Sequence, residues 1–147
     1  MDKIRLTKQF EFEAAHSLIG YDGACKYIHG HSYVLYVTII GIPSADLNNP
    51  KLGMVMDFGS LKQIVNENIV SRFDHCLMLK QDSPLSSELK AEYKKVEIFE
   101  FQPTCENMLL YFVSLLEHKM PENIALLSIK LHETGGSYAE WYKTDQL

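Results

Sequence analysis

Two histidines separated by a single glycine, His29-Gly30-His31, are the residues of this 147-residue chain most readily turned to chemistry. In an extended segment, side chains at i and i+2 share a face, so both imidazoles can reach one metal ion. Gly30 lacks a Cβ and leaves room for something to approach the backbone between them. A catalytic zinc takes three protein ligands and keeps one position open, so a third ligand must come from elsewhere. His16 is the candidate. Ile4, Leu6, Phe10, Phe12 and Ala14 fall on even positions of an alternating stretch, and His16 continues that register. Alone, a histidine at the end of an apolar face reads as a satisfied core residue; the nearby His-Gly-His pair reverses that. Imidazole suits several transition metals, with zinc the expectation. Cys25, just upstream of His29, could be a fourth ligand that closes the site. It could equally be a base whose pKa is lowered by the cation and a histidine.

Further groups could join this chemistry. Asp74 precedes His75, and a carboxylate beside an imidazole can hold it in one tautomer as a general base. Neighbours on a strand point oppositely, so the pair needs a bend there. Glu133 follows Leu127, Ile129 and Leu131 in one register, so a carboxylate ends an apolar row, either solvated or buried for a purpose. Thr104 is positioned to cap a helix. A capping box wants Glu or Gln at 107, where Asn107 stands, so Glu106 is free of that duty and could face a ligand. The helix N-terminus favours a carboxylate there in any case. Cys76 and Cys105 read as inert thiols.

These groups need a frame. Residues 4 to 16 read as a strand, 17 to 30 as a loop, and 31 to 42 as a second strand, apolar on both faces and so expected to be covered on both. Asp57 caps a helix running to about Ser71, with Phe58, Leu61, Ile64, Val65 and Ile69 on its apolar side. Residues 80 to 95 are a polar excursion with a possible short helix, and Val96 to Phe101 could be a short edge strand. A second long helix begins at Pro103-Thr104 and buries Met108, Leu109, Phe112, Leu115 and Leu116. A strand through Leu131, a turn at Gly135-Gly136 and a closing strand from Ser137 to Tyr142 complete the chain. The expectation is one α+β domain over 1–147. Its order is ββααββ, with two helices on one face of a four-stranded antiparallel sheet.

Composition narrows the function. A net charge of −5 offers no basic footprint for nucleic acid. No apolar run approaches the ~20 residues of a membrane span, and the charged start Met1-Asp2-Lys3-Ile4-Arg5 is unlike a signal peptide. A cytoplasmic location follows as the default, and three cysteines, an odd number, argue for free thiols.

Taken together the motifs resemble one family. Phe12-Glu13-Ala14-Ala15-His16, Cys25-x-x-x-His29-Gly30-His31, Gly53-Met54-Val55-Met56-Asp57-Phe58, Phe73-Asp74-His75, Pro103-Thr104-Cys105-Glu106-Asn107 and Glu133-Thr134-Gly135-Gly136-Ser137-Tyr138-Ala139-Glu140 follow, in order, the pattern of the 6-pyruvoyltetrahydropterin synthase superfamily. The resemblance runs through nearly the whole chain, except 80–95. It implies the tunnelling fold, whose subunits form barrels as trimers and stack into homohexamers with active sites at subunit interfaces. It implies zinc held by His16, His29 and His31, a thiol base at Cys25, and an Asp-His relay at Asp74 and His75. It further implies a pterin-anchoring carboxylate at Glu133, substrate recognition by Thr104 and Glu106, and 7,8-dihydroneopterin triphosphate as substrate. The three residues between Cys25 and His29 and the Ser-Tyr-Ala-Glu ending resemble the queuosine-pathway branch, the 6-carboxytetrahydropterin synthases, whose product chemistry releases acetaldehyde. Lys80, where that branch often has Asn, departs from it. Lys26 and Arg72 are candidates to meet the triphosphate. The alternatives are pyruvoyltetrahydropterin synthesis and a non-catalytic zinc module closed by Cys25.

Overall fold

The computed structural model describes all 147 residues. Strand β1 covers Ile4–His16 and pairs antiparallel with β2, His29–Gly41, in one unbroken register from Ile4 opposite Gly41 to His16 opposite His29. The even positions of β1 and the odd positions of β2 share a face. Phe10, Phe12, Ala14, Tyr33, Leu35, Val37 and Ile39 are buried there. Phe12 stacks on Tyr33 with ring centroids 5.0 Å apart, so the pair welds the two strands just below the histidines. The other face of β2 is half-exposed at Val34, Tyr36, Thr38 and Ile40, so its apolar residues have no full cover within the chain.

Helix α1 starts at Phe58, capped by the Asp57 carboxylate, which accepts from the Gly59 N–H at 2.6 Å. It is α-helical over Phe58–Val65, widens into a π-helical turn at Asn66–Val70, and closes with Ser71–Phe73. Asn68 donates its side-chain amide to the Ile64 carbonyl, competing for a backbone acceptor beside the wide turn. Leu61, Val65, Ile69 and Phe73 are all fully buried, so the expected apolar stripe holds, though Phe58 lies half exposed beneath Lys8.

The chain departs from expectation after Phe73. Cys76–Lys80 forms β3, which lies parallel to β1, and Val96–Phe99 forms β4, parallel to β3. Parallel neighbours need a crossover, and the 80–95 stretch with helix α2 at Ser86–Glu92 supplies it. Helix α3, Cys105–Leu116, packs Met108, Leu109, Phe112, Val113 and Leu116 on the same face of the sheet as α1. Strand β5, Ala125–Thr134, pairs with β2, and β6, Ser137–Tyr142, pairs with β5. The sheet therefore has six strands in the order β4-β3-β1-β2-β5-β6, mixed rather than antiparallel, with three helices rather than two. The four-stranded expectation missed β3, which is short and pairs with a strand far back in the chain, and left the possible edge strand at Val96 to Phe101, seen here as β4, out of its count. No helix is long and apolar enough to cross a membrane.

Phe73 joins α1 to the rest of the core, with its ring 5.2 Å from Phe112 and 6.2 Å from Phe99. Phe73→Ala is expected to cost about 3–5 kcal/mol of stability, measured as a lowered denaturant midpoint at unchanged slope.

Candidate active site

The β1–β2 register brings three imidazoles to one point. His16 and His29 form the last cross-strand pair, and His31 faces Ala14 two pairs inward on the same side. His16 Nε2 lies 3.0 Å from His29 Nε2 and 3.2 Å from His31 Nε2. His16 is buried; the other two are partly exposed. The Nδ1 atoms of His16 and His29 each lie 2.7 Å from a backbone carbonyl, Pro103 and Tyr27 respectively. A carbonyl only accepts, so each Nδ1 carries the hydrogen and each neutral ring offers a lone pair at Nε2. Two such lone pairs 3.0 Å apart repel unless a cation lies between them. Burial, with smaller contributions from His29 and His31, lowers the His16 pKa to about 4, so a proton is poorly suited to be that cation at neutral pH. Four-coordinate metal–nitrogen bonds of ~2.0–2.1 Å would hold such atoms about 3.3 Å apart, so the donor set fits a metal.

His16 also faces a cleft of about 560 Å³, lined among others by Cys25, Gln102, Thr104, Glu106, Glu133 and Tyr138. Cys25 Sγ is not among the ligand atoms within 4.8 Å of one another, a group made of the three histidines alone. The thiol thus sits at the cleft rather than in the cluster. Glu133 arrives by an irregularity: His132 pairs with Tyr138 and Thr134 with Ser137, leaving Glu133 as the extra residue of a β-bulge. Its Oε1 stands 3.8 Å from His16 Nε2. Burial first, then the Glu106 carboxylate, push its pKa up, while His29 opposes them. Thr104 caps α3, its hydroxyl accepting from the Asn107 N–H at 3.2 Å, which leaves Glu106 in the first turn facing the cleft. No lysine or arginine lines this cleft.

Asp74 and His75 do not reach it. Asp74 is extended and His75 takes a φ of 63°, a left-handed bend that turns the neighbouring side chains toward each other, with Nδ1 3.1 Å from Oδ2. Asp74 also accepts from the Glu13 N–H at 2.9 Å, and that bond, before the one from His75, holds its carboxyl below the usual range. His75 is exposed and lines a second hollow of about 690 Å³ together with His31, Glu13, Tyr93, Lys94 and Lys95. The histidine cluster lies between the two hollows. Arg72 is occupied elsewhere, making two hydrogen bonds to Glu97 and one to Tyr111, and the Lys26 ammonium lies over the Tyr27 ring.

Sequence reasoning missed Gln102, whose side chain bonds the backbone of Ile19, and the carbonyls of Pro103 and Tyr27 that orient two histidines. A backbone carbonyl leaves no mark in the sequence.

A family model described as 6-pyruvoyl tetrahydropterin synthase matches residues 5–144. The chain is 36% identical over 141 residues to a 6-carboxy-5,6,7,8-tetrahydropterin synthase from Rickettsia bellii, spanning 93% of this chain and 99% of that protein. It is 34% identical over 143 residues to the protein of that name from Haemophilus influenzae, spanning 93% and 97%. Among solved structures, the Caenorhabditis elegans 6-pyruvoyl tetrahydropterin synthase aligns with a TM-score of 0.72 at 25% identity, covering 97% of this chain and 96% of that one. The Plasmodium falciparum synthase shares the fold at a TM-score of 0.71 and 19% identity, covering 96% of this chain and 98% of that one. With nearly its whole length matched, the chain belongs to the 6-pyruvoyl tetrahydropterin synthase family.

Proposed function

We propose that this protein is a zinc-dependent 6-carboxy-5,6,7,8-tetrahydropterin synthase. It would convert 7,8-dihydroneopterin triphosphate and water to 6-carboxytetrahydropterin, acetaldehyde and triphosphate in queuosine biosynthesis. The observation that carries the reading is the convergence of three imidazole nitrogens at the wall of a cleft that also holds the Cys25 and Cys105 thiols and two carboxylates. Several relatives bearing the carboxy-synthase name, at 33–36% identity over 93% of this chain, favour that branch.

His16, His29 and His31 would hold the zinc, which when bound polarises substrate oxygens and makes adjacent C–H bonds more acidic. Glu133, half buried and without a cationic side chain in its cleft, is suited to paired hydrogen bonds from the N–H edge of a pterin. Glu106 would add a second acceptor in the same cleft, and Thr104 keeps it there by fixing the start of α3. Cys25 would remove a proton from the substrate side chain. The internal redox change then passes between side chain and ring, so no nicotinamide or flavin is required.

Asp74 and His75 would relay protons from a neighbouring subunit. Their exposure, and their place on a hollow that shares His31 but not Cys25, suits a site completed at an interface. A homohexamer built as a dimer of trimers would also cover the half-exposed outer face of β2.

Incubation of zinc-loaded protein with 7,8-dihydroneopterin triphosphate is expected to release acetaldehyde and a 6-carboxytetrahydropterin, read by mass spectrometry. A pyruvoyl product retaining the side-chain carbons would move the protein to the other branch, and no turnover would overturn the enzymatic reading. Cys25→Ala is expected to keep the parent's zinc stoichiometry and to lose at least about 10²-fold in kcat. Loss of zinc in that variant would instead favour a closed, structural site.

Glu133 carries a pH prediction for the metal-free protein. Its folded-state pKa is raised, so the folded chain holds the proton to higher pH than the unfolded chain. The carboxylate therefore costs stability as pH rises from its unfolded pKa through its folded pKa, fully so above the latter. Glu133→Gln should raise the melting temperature at pH 7, with a smaller gain at pH 4, and should abolish turnover.

A further inference from the structure

The loop between β1 and β2 carries Cys25, and it is closed on itself. Leu18 N–H donates to the Cys25 carbonyl at 2.9 Å, and the Ser17 hydroxyl donates to the Lys26 carbonyl at 2.8 Å. Tyr21, Lys26 and Tyr27 likewise donate their N–H groups to carbonyls within the same loop. Such a loop moves as a unit unless something outside holds it. Of its hydrogen bonds, only one pair reaches a segment distant in sequence. The Gln102 side chain accepts from the Ile19 N–H at 3.1 Å and donates to the Ile19 carbonyl at 2.6 Å. The backbone carbonyl of Gln102 meanwhile accepts from the Asn107 side chain at 2.9 Å, which ties the connector to the first turn of α3.

The next residue, Pro103, gives its carbonyl to His16 Nδ1–H, and Thr104 caps the helix that presents Glu106. Three consecutive residues thus touch three parts of the site. We propose that Gln102 is a positioning residue that sets the Cys25 thiol relative to the histidine cluster, by clamping the thiol-bearing loop to the segment that also orients His16. An amide is suited to this because it offers one donor and one acceptor side by side, matching the N–H and C=O of one backbone residue. The consequence for turnover rests on the reading of Cys25 as a proton-transfer group; the clamp itself does not.

The test is Gln102→Met, which keeps the length and removes both hydrogen bonds, with Gln102→Glu as a second variant that keeps the acceptor and loses the donor. In the zinc-loaded protein, iodoacetamide labelling is followed for each cysteine by peptide mass spectrometry. The expectation is Cys25 labelling at least about threefold faster in Gln102→Met, as a freed loop opens locally. Cys76 and Cys105 should label at the parent's rate and zinc should stay at the parent's stoichiometry. Misplacing a proton-transfer group lowers kcat while leaving binding intact, so kcat should fall at least about tenfold with KM within about twofold. Gln102→Glu should move in the same direction. Unchanged Cys25 labelling, or faster labelling of all three thiols together, overturns the proposal. If the parent protein turns over no substrate, the role given to Cys25 fails, and the labelling rates still decide whether Gln102 holds the loop.

Discussion

Everything at the site depends on the register of β1 against β2. That single pairing sets His16 opposite His29 and leaves His31 two pairs inward on the same face. A slip by one residue would turn the histidines to opposite sides of the sheet and carry Phe10, Phe12 and Ala14 out of the core with them. The hydrophobic effect that fixes the core thereby fixes the histidine cluster. The stacked Phe12 and Tyr33 rings lie next to the histidines along the same face, so packing and histidine placement are continuous. What the core does not set is ring orientation. That falls to two carbonyls, from Pro103 and Tyr27, which dictate which nitrogen of each imidazole faces the centre.

The parts of the chain that were legible in the sequence are those whose signals are local. The alternation from Ile4 to His16 gives β1 to its last residue, and Asp57 and Thr104 mark the helix starts where the caps are found. The His-Gly-His spacing, with His16 at the end of a strand, anticipates the three-nitrogen cluster. The rest was hidden for physical reasons. Cys76–Lys80 has no turn chemistry pairing it with a neighbour, and its partner β1 lies far back in the chain. The polar pattern of the excursion at 80–95 gives no sign of its role, yet a parallel β3–β4 pair cannot be connected without such a crossover. The Asp74-His75 pairing needs a bend, which the left-handed His75 supplies, but no local signal shows that the fold puts the dyad over a different hollow from Cys25. Glu133 looked like the end of a regular row, and only the structure shows it as the extra residue of a bulge.

The electrostatics of the cleft divide the work of recognition. Two carboxylates and no cationic side chain line it, so it is suited to an N–H-rich ring edge and hostile to a polyanion. The second hollow differs, with Lys94 and Lys95 beside Glu13 among its walls.

The widened turn in α1 has a bearing on how this chain tolerates change in length. At ~100° per residue, the step from Leu61 to Phe73 in a regular helix would overshoot whole turns by about 120°, and Phe73 would swing off the buried face. The π-helical turn at Asn66–Val70 absorbs about one residue, which reduces the overshoot to about 20° and keeps both ends in phase. The helix therefore carries one residue more than its geometry needs. Loss of a single exposed position there would leave an ordinary α-helix with Phe73 still buried and Asp74 and His75 still at the same bend, whereas a further insertion would have nowhere to be hidden. The segment is a local store of slack, free to vary in length by one residue in one direction only.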